Sequence, residues 1–197
     1  MPESWPPPDA IAVALRVSAA IEAAGGAYFV GGSVASSLQG EPRTTNDIDI
    51  VVELPVGRIR DFVASLGRDF EVDVDMLRDA FLHRRTCNIF FLPAVMKIDL
   101  FPVGRSPFDE SEFARRSPVL VRPPAGTLVM KSAEDTVLRK LLWYLEGGGV
   151  SDRQWRDVIE VLRVSGAVMD RQYLAAWAAR LQISELLDRA QAEAAAP

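Results

Sequence analysis

The chain has 197 residues, one cysteine and one histidine, and its formal net charge is −5. This length fits one domain, or one domain with a helical appendage, and an apolar content of 49% is ordinary for a globule with a sizeable core. The single cysteine excludes an intramolecular disulfide, the single histidine excludes zinc sites built from His and Cys clusters, and the acidic balance argues against nonspecific nucleic-acid binding.

The N-terminal sequence predicts neither export nor insertion into a membrane. Met1–Pro8 contains no basic segment and no apolar run, so it does not have the pattern of a signal peptide. No uninterrupted apolar stretch approaches the ~20 residues that a membrane helix needs. Together with the single cysteine, these features predict a soluble, cytoplasmic protein that has no membrane partner.

Helical and strand patterns alternate through the first two thirds of the chain. The hydrophobic spacing predicts helices at 10–24, 33–38, 56–66 and 76–81, and strands at 27–30, 47–53, 70–74, 86–92, 95–101, 119–122 and 127–130. The two β-rich runs on either side of Pro93-Ala94 predict a hairpin.

The strand patterns stop after Lys131, and the remaining sequence predicts helices at 133–146, 152–164, 170–180 and 183–193. The predicted fold class is therefore α+β. A mixed β-sheet core flanked by helices occupies domain 1–130, and a C-terminal helical bundle occupies domain 131–197.

Three carboxylates stand inside apolar strand patterns. Asp47 and Asp49 are two positions apart, so they face the same side of their strand, and Asp99 lies between apolar neighbours on a later strand. Neighbouring carboxylates repel each other unless a cation intervenes, and Mg²⁺ binds one or two carboxylates together with phosphate oxygens. If the two strands are neighbours, the acids predict a site for two magnesium ions. Asp-x-Asp alone would also fit a solvated edge strand.

A small-residue turn precedes these acids. Gly31-Gly32-Ser33 ends a predicted strand and opens a predicted helix, where free N–H groups attract anions and glycine admits a phosphate close to the backbone. Alone, the turn is weak evidence, because it is more simply explained as an ordinary turn with a helix cap, and it is neither a Walker loop nor a dinucleotide fingerprint. Together with the acids, it predicts a nucleoside triphosphate site.

In this combination the chain resembles the nucleotidyltransferase superfamily, whose members share a DNA polymerase β-like core. The family pattern is a Gly-Gly or Gly-Ser turn, an Asp-x-Asp between apolar residues and a later acid on a strand, and it is matched here up to residue 130. The resemblance implies Mg²⁺-dependent transfer of an NMP from an NTP to an acceptor hydroxyl. It further implies that Gly32 and Ser33 bind the triphosphate and that Asp47, Asp49 and Asp99 are catalytic and bind two Mg²⁺.

The tail is similar to that of a minimal bacterial branch related to AbiEii-type toxins. That branch has a lysine on the helix after the core and a later acid beside basic residues, and Lys140 and Asp157 match these positions. The similarity implies that Lys140 contacts the triphosphate, that Asp157 supports the nucleotide site, and that a cognate antitoxin is a partner. Each residue would equally fit a solvated helix face. The tRNA nucleotidyltransferases fit less well, since Val34 and Ala35 replace their arginine and aspartate.

The sequence leaves the acceptor open, and an RNA end, a protein hydroxyl and a small molecule such as an antibiotic all remain candidates. The non-enzymatic alternative is a catalytically silent nucleotide-binding or partner-binding module of the same fold. The three intact acids argue against this alternative. A sugar-nucleotide transferase that uses Asp-x-Asp would need a larger nucleotide-binding domain than this chain offers.

Overall fold

The computed structural model describes residues 9–42, 45–121 and 126–196, and the chain packs as two compact units. The first unit comprises the chain up to Val34 together with Thr45–Met130, and the second comprises Ala35–Thr44 together with the chain from Lys131 onward. The short segment after Val34 therefore belongs with the later helices, although it precedes most of the sheet in sequence. The division into a core domain 1–130 and a helical domain 131–197 stays a prediction.

The first unit is built on a seven-stranded mixed sheet. Its strands are β1 (Ala27–Val30), β2 (Asp47–Glu53), β3 (Phe70–Glu71), β4 (Cys87–Phe91), β5 (Met96–Pro102), β6 (Ser117–Val121) and β7 (Gly126–Met130). Their order in the sheet is β3-β4-β5-β2-β1-β7-β6. β5 runs parallel to β2 and β7 runs parallel to β1, while the other neighbours are antiparallel. The predicted mixed sheet is confirmed.

Helices accompany this sheet. They are α1 (Ala10–Ala23), α2 (Gly32–Gln39), α3 (Ile59–Leu66), α4 (Val74–Leu82) and α5 (Pro107–Ala114), and α2 begins in the first unit and continues in the second. α1 begins where the Asp9 side chain accepts a hydrogen bond from the Ala12 N–H. Its apolar face packs on the sheet, so the core of this unit lies between α1 and the fully buried side chains of β2.

The second unit is helical. It contains α6 (Ala133–Glu146), α7 (Asp152–Ser165), α8 (Arg171–Arg180) and α9 (Ser184–Ala194), and this confirms the predicted C-terminal helical bundle. Segment 35–42 is tied to these helices by Gln39, whose Nε2 donates to the Lys131 carbonyl at 2.7 Å and whose backbone carbonyl accepts from Ser165 Oγ at 2.7 Å. Gly40 packs so closely on α7 that a Cβ there would lie 3.0 Å from α7 backbone atoms.

One local expectation is wrong and one helix is not predicted, and side-chain caps explain both. The strand predicted to reach Val74 ends at Glu71, because Asp73 accepts a hydrogen bond from the Met76 N–H and so starts α4. α5 was not predicted from the sequence at all, yet Ser106 and Asp109 form a reciprocal capping box at its start. Within the described parts of the chain, no helix combines the length and apolar character of a membrane span.

Candidate active site

The three predicted acids lie on one face of the sheet, on neighbouring strands. β2 and β5 pair in parallel, with Asp49 opposite Asp99 and Asp47 opposite Lys97. The alternate residues of β2, Ile48 among them, point to the reverse face and are fully buried, so the acids share the more accessible face. A site that contains all three acids requires β2 and β5 to be neighbours, and in the structure they are.

The glycine turn lies directly against the acids. Gly32 has a φ of +54°, and a Cβ added to it would lie 1.7 Å from Asp49 Oδ2. The Gly31 N–H donates to the Asp49 carbonyl at 2.9 Å, which holds the turn against β2. Position 32 therefore requires glycine for two reasons, the left-handed backbone and the close carboxylate. Ser33 is buried in the first turn of α2.

A lysine that the sequence analysis missed lies among the acids. Lys97 Nζ is 2.8 Å from Asp99 Oδ2, with the two side chains 38% and 13% exposed. The hydrogen bond to Asp99 raises the pKa of Lys97, and the negative charges of Asp99, Asp47 and Asp49 raise it further. The signal was present in the sequence, because a residue two positions before Asp99 faces the same side of its strand.

The chemistry of this donor set fits a divalent cation. Carboxylate oxygens are the ligands that Mg²⁺ prefers, and Lys97 shows that this face attracts a positive charge. Over residues 9–42, 45–121 and 126–196, no group of three or more His, Cys, Asp or Glu side chains is gathered around one point closely enough to hold a metal ion. The acids are thus aligned on one face, with Lys97 paired to one of them, and are not arranged as a closed metal cage.

Lys140 and Asp157 meet in the second unit. Lys140 Nζ lies 2.7 Å from Asp157 Oδ2 and donates to Gln154 Oε1 at 3.0 Å, and Ser36 Oγ donates to the same Asp157 oxygen at 3.2 Å. Lys140 is 2% exposed and Asp157 is 7% exposed, so neither lies on a solvated helix face. The structure therefore forms two groupings of the predicted residues, one in each unit.

Comparison with solved structures shows what fold surrounds this site. An antigenic nucleotidyltransferase-like protein from Paracoccidioides brasiliensis is similar, with a TM-score of 0.52 and 15% identity over 94% of each chain. The antibiotic-resistance factor ANT(2'')-Ia is similar with a TM-score of 0.50 and 18% identity, over 92% of this chain and 99% of that one. At these identities the likeness establishes the fold, which is that of nucleotidyltransferase-like proteins. No family model and no curated protein sequence matches the chain.

Proposed function

We propose that this protein is a metal-dependent nucleotidyltransferase that moves an NMP from an NTP to an acceptor hydroxyl. The observation that carries the proposal is the register of β2 and β5, which sets Asp49 opposite Asp99 with Asp47 on the same face. The contact between Gly32 and Asp49 adds the phosphate-binding turn to these acids. The fold shared with nucleotidyltransferase-like proteins supports the same class of reaction.

Each part of the face has a role in binding the donor. The β- and γ-phosphates of the NTP would bind at Gly32 and Ser33, where α2 begins and where glycine lets a phosphate approach the backbone closely. Asp47, Asp49 and Asp99 would hold two Mg²⁺. When bound, these ions supply the positive charge that offsets the repulsion between the carboxylates and the triphosphate.

The reaction is a displacement at the α-phosphorus. The acceptor hydroxyl oxygen forms a new bond to that phosphorus, while the bond from the α-phosphorus to the bridging oxygen of the β-phosphate breaks and pyrophosphate leaves. The hydroxyl proton passes to Asp99. Because no covalent bond to the protein forms, the chain contributes by positioning the reactants and by electrostatic stabilisation of the transition state.

Replacement of Asp49 tests this proposal. Asp49→Asn keeps the size of the side chain but removes its charge, so transfer of a labelled NMP should fall by about 10²–10³-fold, as when one transition-state contact is lost. Glu53→Gln is the matched control, because Glu53 is an exposed carboxylate on the same strand. It should stay within about twofold of the wild type. An Asp49→Asn variant that transfers at the wild-type rate would contradict the mechanism.

The acceptor is identified by locating the label. The protein is incubated with each α-labelled NTP and Mg²⁺, together with total RNA, total protein or a panel of antibiotics. If the wild-type protein labels one of these fractions and Asp49→Asn does not, that fraction contains the acceptor. Magnesium-dependent NTP binding without release of pyrophosphate in any fraction would instead support the catalytically silent binding module.

Lys140 and Asp157 enter the proposal as a pair. Lys140 would contact the triphosphate and Asp157 would support the site by holding the ammonium group in position, as the 2.7 Å ion pair allows. The resemblance of the tail to AbiEii-type toxins extends the proposal to a toxin that has a cognate antitoxin. Induced expression should then arrest growth with the wild-type chain but not with Asp49→Asn, and equal growth of both strains would remove the toxin role.

A further inference from the structure

We propose that Lys97 is a resident counter-cation of Asp99 on the acid face and that it competes with a divalent cation for this carboxylate. This inference rests on the proposed function, because it assumes that the face of Asp47, Asp49 and Asp99 binds a metal ion. It assigns Lys97 the role of a positioning residue that sets how tightly that ion binds. No role for a residue at this position was implied by the family pattern.

The geometry places the ammonium group of Lys97 among the acids. Its Nζ lies 2.8 Å from Asp99 Oδ2, and its Cα is the register partner of Asp47 on the neighbouring strand. The other neighbouring strand, β4, offers no charge, because Asn88 stands opposite Asp99 and Phe90 stands opposite Lys97. The negative charge next to Lys97 therefore comes from Asp99 on its own strand and from the acids of β2.

Competition follows from this pairing. The Asp99 oxygen that accepts from Lys97 is a ligand that a divalent ion would need, and two cations on one carboxylate repel each other. The Lys97 side chain is 38% exposed, so it has access to solvent into which the ammonium group can turn when a metal ion arrives. Part of the energy of metal binding is then spent on breaking the Lys97–Asp99 ion pair, which weakens the apparent affinity.

The test measures binding of Mn²⁺ alone by electron paramagnetic resonance, without nucleotide. Lys97→Met keeps the length of the side chain and removes its charge, and it should bind Mn²⁺ about tenfold more tightly, a change of the size seen when groups around metal ligands are altered. Lys97→Arg keeps the charge and should bind within about twofold of the wild type. Arg60→Met removes one positive charge from an exposed position of α3 and is the matched charge control.

The outcomes separate this inference from the proposed function. Equal or weaker Mn²⁺ binding by Lys97→Met overturns the role of Lys97 but leaves the metal site standing. The absence of saturable binding in the wild type and in Lys97→Met overturns the acid face as a metal site, and with it both proposals. Asp49→Asn should lose binding in either background.

Thermal unfolding provides a second readout and guards against a folding defect. In EDTA, Lys97→Met leaves Asp99 without the ammonium group that it pairs with, so its unfolding midpoint should lie below that of the wild type. Addition of Mn²⁺ should raise the midpoint of Lys97→Met by more than it raises that of the wild type. Lys97→Gln, which keeps a hydrogen-bond donor without the charge, should behave like Lys97→Met, and an equal rise in all proteins would overturn the competition.

Discussion

At the scale of single residues, Gly32 carries two constraints that can be separated experimentally. Its φ of +54° is costly for any residue with a Cβ, and a Cβ would also collide with Asp49 Oδ2. Gly25 has a similar φ of +74°, but nothing lies within 4 Å of where its Cβ would be. The two glycines therefore share the backbone requirement, while only Gly32 touches a proposed catalytic acid.

Gly32→Ala should cost far more function than Gly25→Ala. Both variants should lose about 1–2 kcal/mol of unfolding free energy, because alanine is strained at positive φ, and Gly32→Ala should lose more because its Cβ also collides with Asp49. Only Gly32→Ala displaces the Asp49 carboxylate. A misplacement of about 1 Å in an active site costs on the order of 10²-fold in turnover. Urea unfolding and labelled-NMP transfer measure the two effects, and equal activity of the two alanine variants would show that the contact with Asp49 has no catalytic consequence.

The residue scale also shows what the sequence could and could not predict. Alternation along a strand was enough to place Asp47 and Asp49 on one face, and an acid between apolar neighbours singled out Asp99. The same alternation would have placed Lys97 beside Asp99. It was missed because a lysine on a strand carries no motif, and its importance depends on the register between β2 and β5, which local pattern does not encode.

At the scale of elements, the ion pair of Lys140 and Asp157 joins α6 to α7 inside the helical unit. Both partners are buried, and Ser36 and Gln154 supply further hydrogen bonds. Burial of a charge is tolerated only when the charge is paired, so each partner depends on the other for its stability. The pair therefore has a structural role in the bundle, whatever it contributes to the binding of nucleotide.

Removal of one partner should destabilise the protein strongly. Lys140→Met removes the ammonium group paired with the buried Asp157 carboxylate, and breaking such a pair typically costs about 3–5 kcal/mol, whereas Lys140→Met combined with Asp157→Leu should cost less than the single change. The more exposed pair of Arg163 and Glu160 on α7, 3.1 Å apart, is the control, and Arg163→Met should cost no more than about 1 kcal/mol. Urea denaturation compares them, and additive losses in the double variant would argue against coupling.

Elements were predicted best where the hydrophobic period was long and undisturbed. The predicted strand 47–53 is β2 and the predicted helix 133–146 is α6, with the same limits. Predictions failed where a polar side chain decided the structure, since Asp73 turns the end of a β-rich run into a helix start. α5 was missed because its identity depends on a cap and not on a regular apolar stripe.

At the scale of the whole molecule, the proposed activity ties ligand binding to global stability. A ligand that binds only the folded protein raises its unfolding free energy, by about 2.7 kcal/mol when its concentration is a hundredfold above Kd. Non-hydrolysable analogues of the four NTPs, each with Mg²⁺ and at the same concentration, should therefore raise the unfolding midpoint in the order of their affinities. The largest rise identifies the preferred nucleotide.

Asp49→Asn and Glu53→Gln, the two variants used to test turnover, also show whether this rise in unfolding midpoint depends on the acid face. Glu53→Gln should be stabilised like the wild type, and Asp49→Asn should show a much smaller rise. A similar rise in Asp49→Asn would mean that the nucleotide binds somewhere other than the acid face.

The fold class could be predicted from the sequence, because strand patterns give way to helix patterns at Lys131. The assignment of segment 35–44 was not, because it depends on long-range contacts such as those of Gln39.

The parallel pairing of β2 with β5 also bears on how the chain folds. These strands are far apart in sequence, with α3, β3, α4 and β4 between them, so their pairing closes a long loop and belongs to the slow, nonlocal part of folding. That step would bring a third carboxylate against two others. Because Lys97 arrives on the same strand as Asp99, the incoming segment brings a compensating positive charge with it. The strand that completes this pairing therefore carries the partner of its own carboxylate with it.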